Sequence, residues 1–306
     1  MSTIVVTGAS GFVGRQLVAY LAARGDRVVA IARRPKPSDL PGGVTWLSAD
    51  LLEPASYESA LTDATCVLHL AAITGKARPE AYQRGNVDAT AALLAAAERA
   101  GVQRFVLVSS IAAVFPDRRY YPYAESKIAA EKLVQASRLR TTIVRPTMIL
   151  GDGSPIQHSL ESLARLPFIP MFGDGERRVQ PVDVADVVKL LAAIASDPDD
   201  VSAVVELGGP EVYSLKELLT RLRVLQGRQG QSPRFLHLPL ALMRWFLALL
   251  ERPLFSVLPL TAGQLASFAN NSVATRHPLA ERLLRERNTT PTRSARVAAV
   301  SPVATP

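Results

Sequence analysis

The run Thr7-Gly8-Ala9-Ser10-Gly11-Phe12-Val13-Gly14 constrains this chain more than any other feature. It follows the strand-like Ile4-Val5-Val6-Thr7 and opens a helical pattern. Glycines at 8, 11 and 14 let the backbone turn sharply, approach a pyrophosphate and pack helix on strand. The N–H groups and positive dipole end of the helix then face the phosphates. Glycines alone are a weak signal, but the strand-turn-helix context gives them meaning. A dinucleotide held by Thr7, Gly8, Ser10, Gly11, Phe12, Val13 and Gly14 is the expectation.

The next 140 residues repeat the alternation that such a turn requires. Segments 4–7, 27–31, 44–47, 66–70, 105–109 and 141–145 are short, β-branched or aliphatic, and bounded by Gly, Pro or polar residues. They read as strands. Segments 12–24, 79–100 and 121–138 read as helices, and several strands are apolar almost throughout, as in parallel strands covered on both faces. The fold class is therefore α/β, a doubly wound parallel Rossmann sheet, with a smaller C-terminal substrate lobe. Residues 1–150 are assigned to the nucleotide domain and 151–287 to the lobe, partly interwoven with it. Within 151–287 a helix near 183–196, a strand near 203–207 and a helix near 214–226 are expected. Residues 288–306 lack periodicity and are expected to form a disordered tail.

Composition narrows the class. The chain has 306 residues, 48% hydrophobic and 20% charged, too apolar for a disordered protein. One cysteine, Cys66, excludes a disulfide scaffold and a cysteine-rich zinc site, and fits a reducing compartment. No metal site is expected. No apolar run is long enough to span a bilayer, and the N-terminus lacks a basic region with a cleavage site, so a cytoplasmic location is expected. Half of the +8 net charge lies from Arg276 onward. The body has no basic face interleaved with aromatics, so nucleic acid is not an expected partner.

Residues 238–250, Leu-Pro-Leu-Ala-Leu-Met-Arg-Trp-Phe-Leu-Ala-Leu-Leu, form a dense apolar helix candidate interrupted by Arg244. Two readings stand: a helix packed on the lobe core, or a peripheral contact with a membrane or membrane complex through 238–260.

The second strand ends Ala30-Ile31-Ala32-Arg33-Arg34, without the acidic residue that usually binds a ribose 2′-hydroxyl. A guanidinium from Arg33 or Arg34 suits a 2′-phosphate, so NADP(H) is expected over NAD(H). Asp50 is placed either to accept from the adenine amino group or to cap the following helix. Tyr123-Ala-Glu-Ser-Lys127 puts a phenol and an ammonium on one helix face. A nearby ammonium favours the phenolate and lowers the phenol pKa. Ser109 and Ser110 end the preceding strand at the sheet's carboxyl edge, where ligands bind.

Together these residues resemble the extended short-chain dehydrogenases/reductases of the NAD(P)-dependent epimerase/dehydratase kind. The match runs through Thr7–Gly14, Asp50-Leu51, His69-Leu70-Ala71-Ala72, Asn86-Val87-Asp88, Ser109-Ser110, Tyr123–Lys127 and Arg145-Pro146-Thr147. The resemblance implies Tyr123 as catalytic acid/base, Lys127 as ribose ligand and tuner of Tyr123, and Ser110 as the carbonyl-orienting hydroxyl, with Ser109 still open. It implies that Leu51, Leu70, Ala71, Ala72 and Pro146 line the cofactor cleft and that Asn86 occupies a helix kink. His69 is read as a packing histidine. Arg145 is read as structural or phosphate-binding, and Asp183 and Asp186 as capping residues. The activity expected is NADP(H)-dependent hydride transfer on a secondary alcohol or ketone of a small-molecule substrate. Ser110 and Tyr123 are only 13 positions apart, shorter than in many sugar-nucleotide epimerases. That feature, with Leu260-Thr-Ala-Gly-Gln-Leu265, also resembles the nucleotide-binding accessory subunit of respiratory complex I. The alternative expectation is a catalytically silent NADPH-binding assembly protein.

Overall fold

A computed structural model of the chain describes residues 3–196, 204–228, 233–285 and Val297. Its centre is a seven-stranded sheet of β1 (Thr3–Thr7), β2 (Arg27–Ala32), β3 (Val44–Ser48), β4 (Ala64–His69), β5 (Arg104–Val108), β6 (Arg140–Pro146) and β7 (Val204–Leu207). The spatial order is β7-β6-β5-β4-β1-β2-β3, with every neighbouring pair parallel. Chain direction across the sheet reverses between β1 and β4. In such sheets ligands bind outside the carboxyl ends of the strands, at that reversal.

The inner strands are covered on both faces. One layer packs Leu17, Val18 and Leu21 of helix Phe12–Ala23 with Val187, Leu190 and Leu191 of helix Val184–Ser196. The other packs Leu93, Ala96 and Ala97 of helix Ala89–Arg99 with Ala130 and Val134 of helix Pro122–Ala136. Two-sided burial is the physical reason the strands read as unbroken apolar runs. Cys66 is one of them. It is buried in β4, and burial pushes its thiol up to about 12.

Segment 151–287 contributes helix Val184–Ser196 and strand β7 to this sheet layer rather than to the lobe. The lobe proper packs helices Pro155–Ala164 and Leu215–Leu225 around Ile169 and Met171. It also holds a parallel strand pair, Phe168–Phe172 with Arg234–Leu238, that the sequence patterns did not reveal. Helix Leu240–Leu254 follows. The tail expected at 288–306 lies outside the described residues, save Val297, which is buried among Leu218, Leu219 and Leu222 and accepts from Arg221 Nη1 at 3.1 Å. Among the described residues no helix is long and apolar enough to cross a membrane.

Candidate active site

The glycine turn is shaped by close backbone approach. Gly8 has φ +68°, and a Cβ there would lie 2.6 Å from the Ala71 amide nitrogen. A Cβ on Gly14 would stand 2.2 Å from the Gly8 carbonyl oxygen. Gly11 N–H donates back to that oxygen at 2.9 Å. Helix Phe12–Ala23 begins with neither a side-chain cap nor an acid in its first turn, so its opening N–H groups await an external acceptor. Ser10, Phe12 and Val13 are partly or fully open around this turn, as are Leu70, Ala71 and Ala72 at the end of β4. Pro146 is buried at the carboxyl end of β6, paired with Leu207.

Arg33 and Arg34 are both exposed just beyond β2. The Arg34 carbonyl accepts from Trp46 Nε1 (3.1 Å) and the Ser48 hydroxyl (3.3 Å), which fixes this turn while leaving the guanidiniums outward. Asp50 accepts the Leu52 N–H at 3.0 Å, which is a cap of its own turn, and Leu51 is buried. A cradle that any Cβ would fill, an uncapped helix start and exposed cations after β2 together fit a dinucleotide.

Beneath the turn lies a directed hydrogen-bond chain. Ala71 N–H donates to Thr7 Oγ1 (3.3 Å), and Thr7 Oγ1 meets His69 Nδ1 at 2.7 Å. His69 Nε2 meets Thr90 Oγ1 at 3.0 Å, and Thr90 Oγ1 donates to the Asn86 carbonyl at 2.5 Å. The Thr90 proton is committed to that carbonyl, so His69 donates from Nε2 and accepts at Nδ1. Burial, aided by the Lys127 charge, holds His69 neutral with its pKa down to about 3. It is the packing histidine expected, with both nitrogens used.

At the carboxyl edge of β5 the two serines part. Ser109 is buried and donates to Glu131 Oε1 at 2.5 Å. Ser110 caps the short helix Ile111–Val114, and its hydroxyl lies close enough to Tyr123 to hold the phenol pKa down. The geometry thus brings Ser110, not Ser109, to Tyr123. Tyr82 and Tyr121 stand around the Tyr123 ring at 5.9 and 5.7 Å between centroids.

Lys127 is buried beneath this edge. Its ammonium donates to the Val108 carbonyl at 2.9 Å, and burial brings its pKa down to about 8 against the raising effect of Glu131. The Tyr123 phenol is not lowered. Burial pushes it above its ordinary value, the neighbouring Ser110 hydroxyl opposes this, and Tyr82 adds to the rise. The physical reason is that desolvating a phenolate outweighs the one neighbouring hydroxyl that opposes it.

Asn86 is almost fully buried, in a π-helical turn over Gln83–Asp88 that interrupts the helix expected at 79–100. Its side chain accepts from Ile73 N–H (2.7 Å) and donates to Ile73 O (3.1 Å) and Ser126 Oγ (2.9 Å). Asn86 therefore ties the post-β4 loop to helix Pro122–Ala136, consistent with the kink position that the resemblance implied.

Several side chains around the site find partners that the sequence patterns do not show. Arg145 grips Glu131 through two bonds, 2.9 and 2.6 Å, and reaches Glu206 at 3.4 Å, which makes it structural. Glu206 accepts from the backbone and hydroxyl of Thr275. Asp183 caps through the Ala185 N–H (2.9 Å). The loop between Ser110 and Tyr123 is clamped from the C-terminal region. Asp117 takes Arg244 Nη1 at 2.5 Å and Nη2 at 3.1 Å, and Asn270 bonds both its N–H and its carbonyl. Among these partners Glu131 carries a local signal, its i,i+4 spacing from Lys127.

Comparison with known proteins agrees with this arrangement. The profile described as "NAD dependent epimerase/dehydratase family" matches residues 4–208. Subunit 9 of the NADH dehydrogenase (ubiquinone) 1 alpha subcomplex from Arabidopsis thaliana is 30% identical over 78% of the chain, which spans about three fifths (61%) of that relative. A ceramide reductase from Caulobacter vibrioides is 34% identical over 77% of the chain and 73% of its own length. Among solved structures, MoeE5 in complex with UDP-glucuronic acid and NAD has a TM-score of 0.65 at 29% identity, covering 88% of this chain and 97% of that one. The chain belongs to the NAD-dependent epimerase/dehydratase family, the extended short-chain dehydrogenases/reductases.

Proposed function

We propose that the chain is an NADP(H)-dependent oxidoreductase that interconverts a ketone and a secondary alcohol on a small substrate. The juxtaposition of the Ser110 hydroxyl and the Tyr123 phenol, with Lys127 one helical turn further on, carries this reading. The nicotinamide, when bound, supplies a hydride donor or acceptor. Thr7, Gly8, Ser10, Gly11 and Gly14 would hold its pyrophosphate, Arg33 or Arg34 the 2′-phosphate, and Lys127 the ribose. Ser110 orients the substrate oxygen by hydrogen bonding. Tyr123 moves the proton at that oxygen. The raised phenol pKa keeps Tyr123 protonated at neutral pH, which suits it to donate the proton in ketone reduction. The ceramide reductase likeness supports a reductase; the complex of MoeE5 with UDP-glucuronic acid supports a nucleotide-sugar-like alternative.

The second reading is an accessory subunit that retains cofactor without turnover. The complex I relative and the binding of Lys127 to the Val108 carbonyl favour it. One assay separates the two. The purified chain is mixed with NADPH and a panel of ketones, and NADPH consumption is followed. Turnover that falls about 100- to 10,000-fold in Tyr123→Phe, with NADPH affinity retained, supports catalysis. Tight NADPH retention with no consumption on any ketone supports the accessory reading.

A further inference from the structure

Helix Leu240–Leu254 is apolar on two faces. Inward, Leu240, Met243, Leu247 and Ala248 pack with Ala262 and Leu265. Its first charged side chain, Arg244, also points inward, to Asp117 and to the Arg119 carbonyl (2.6 Å). Outward, Leu242, Trp245, Phe246 and Leu249 are 57%, 60%, 47% and 61% exposed. Their spacing, i, i+3, i+4 and i+7, lays them along one face. Leu254 and Val257 extend the exposed apolar run beyond it. Between Leu240 and Val257 the other charges are Glu251, which accepts the Ala262 N–H, and exposed Arg252. Cations gather at the far end of this face. Lys76 Nζ and the Arg78 guanidinium each stand 4.7 Å from the Phe255 ring centroid, and Lys76 also donates to the Leu258 carbonyl at 2.5 Å.

We propose that this face docks the protein on an anionic lipid bilayer surface, with Leu242, Trp245, Phe246 and Leu249 entering the interface and Lys76, Arg78 and Arg252 meeting lipid phosphates. An interfacial helix has this composition: one apolar face with aromatics, and basic residues at its margin. The area favours a bilayer over a second copy of the chain. A 15-residue helix presents a strip of roughly 22 Å by 10 Å, far short of about 800 Å² from each partner in a stable interface. A bilayer asks for no more than one face. The docking element is also fastened to the candidate site. Arg244 holds the loop between Ser110 and Tyr123, and the Phe255–Leu258 segment sits on the loop that follows β4. Docking therefore sets the carboxyl edge of the sheet beside the membrane.

The test is sedimentation of the full chain with vesicles of phosphatidylcholine alone or mixed with phosphatidylglycerol, at low and high salt. Binding to the mixed vesicles that weakens with salt is expected, with a blue shift of Trp245 fluorescence in a Trp46→Phe background. Trp245→Glu should abolish binding while NADPH affinity stays unchanged. Arg252→Glu should weaken it about fivefold or more. Absence of binding to both vesicle types, or binding unaffected by Trp245→Glu and Leu249→Glu, overturns the proposal. A solution dimer that Trp245→Glu breaks, without vesicle binding, overturns it in favour of a second copy.

Discussion

Arg145 and Glu131 form a two-bonded ion pair, Nε–Oε1 at 2.9 Å and Nη2–Oε2 at 2.6 Å, one helical turn from Lys127. Both side chains are largely buried, at 17% and 5% exposure. The pair joins β6 to the helix that carries Tyr123 and Lys127, and Glu206 extends it to β7. Replacing Glu131 by Gln leaves Arg145 with a weaker partner in a dry site. The expected cost is about 3 kcal/mol, at the low end for a broken buried pair because Glu206 remains. Urea unfolding of Glu131→Gln against wild type measures it as a lower midpoint at unchanged slope.

Lys127 yields a pH prediction. Burial brings its pKa to about 8, below the unfolded value near 10.4. The folded state therefore binds fewer protons than the unfolded state between about 8 and 10.4. The stability penalty of the buried ammonium is fully present below pH 8 and is relieved as pH rises through that window. Ribose binding by the ammonium has the opposite trend, because the cation is lost above about 8. NADPH affinity should fall as pH rises from 7 to 9, and Lys127→Met should bind weakly with a flat profile. A wild-type affinity independent of pH in this range would contradict the role of Lys127.

His69 behaves differently. Its folded pKa near 3 lies below its unfolded value near 6.5. The stability it contributes is fully present above about 6.5 and is lost as pH falls through that value toward 3, because the unfolded chain then takes the proton. Thermal unfolding of wild type should drop in midpoint between pH 7 and 4. His69→Gln, less stable at pH 7 through loss of the Thr7 and Thr90 bonds, should show a shallower fall.

Arg33 tests the cofactor preference. A charge-assisted contact with a 2′-phosphate that NADH lacks gives an expected preference for NADPH of about tenfold or more. Titration of Arg33→Ala and Arg34→Ala should show that preference shrinking in one of them, with NADH affinity little changed. Equal wild-type affinity for the two cofactors removes the argument.

The parts of the fold legible in the sequence were those set by local periodicity. The strands expected at 4–7, 27–31 and 105–109 correspond to Thr3–Thr7, Arg27–Ala32 and Arg104–Val108, within one residue at each end. The helix expected over 79–100 is broken at Gln83–Asp88 because Asn86 bonds Ile73, a residue on a different segment. No window of sequence contains that partner. The choice between Ser109 and Ser110 was illegible for a related reason. Adjacent residues on an extended backbone point to opposite sides, and which side holds Tyr123 depends on where its helix docks. The expected lowering of the Tyr123 phenol failed because charge proximity was legible and burial was not.

By itself the sequence determined the glycine turn, the order of the main strands and helices over residues 1–150, and the four-residue step from Tyr123 to Lys127. These depend on backbone sterics and helical pitch acting over a few residues. The tertiary structure alone decided that Arg145 meets Glu206, 61 positions away, and that Arg244 meets Asp117, 127 positions away. It also left Leu242, Trp245, Phe246 and Leu249 of helix Leu240–Leu254 exposed while Arg244 turned inward to a carboxylate on the loop beneath it. A buried charge requires a partner, and the sheet order and helix docking determine which carboxylate is within reach.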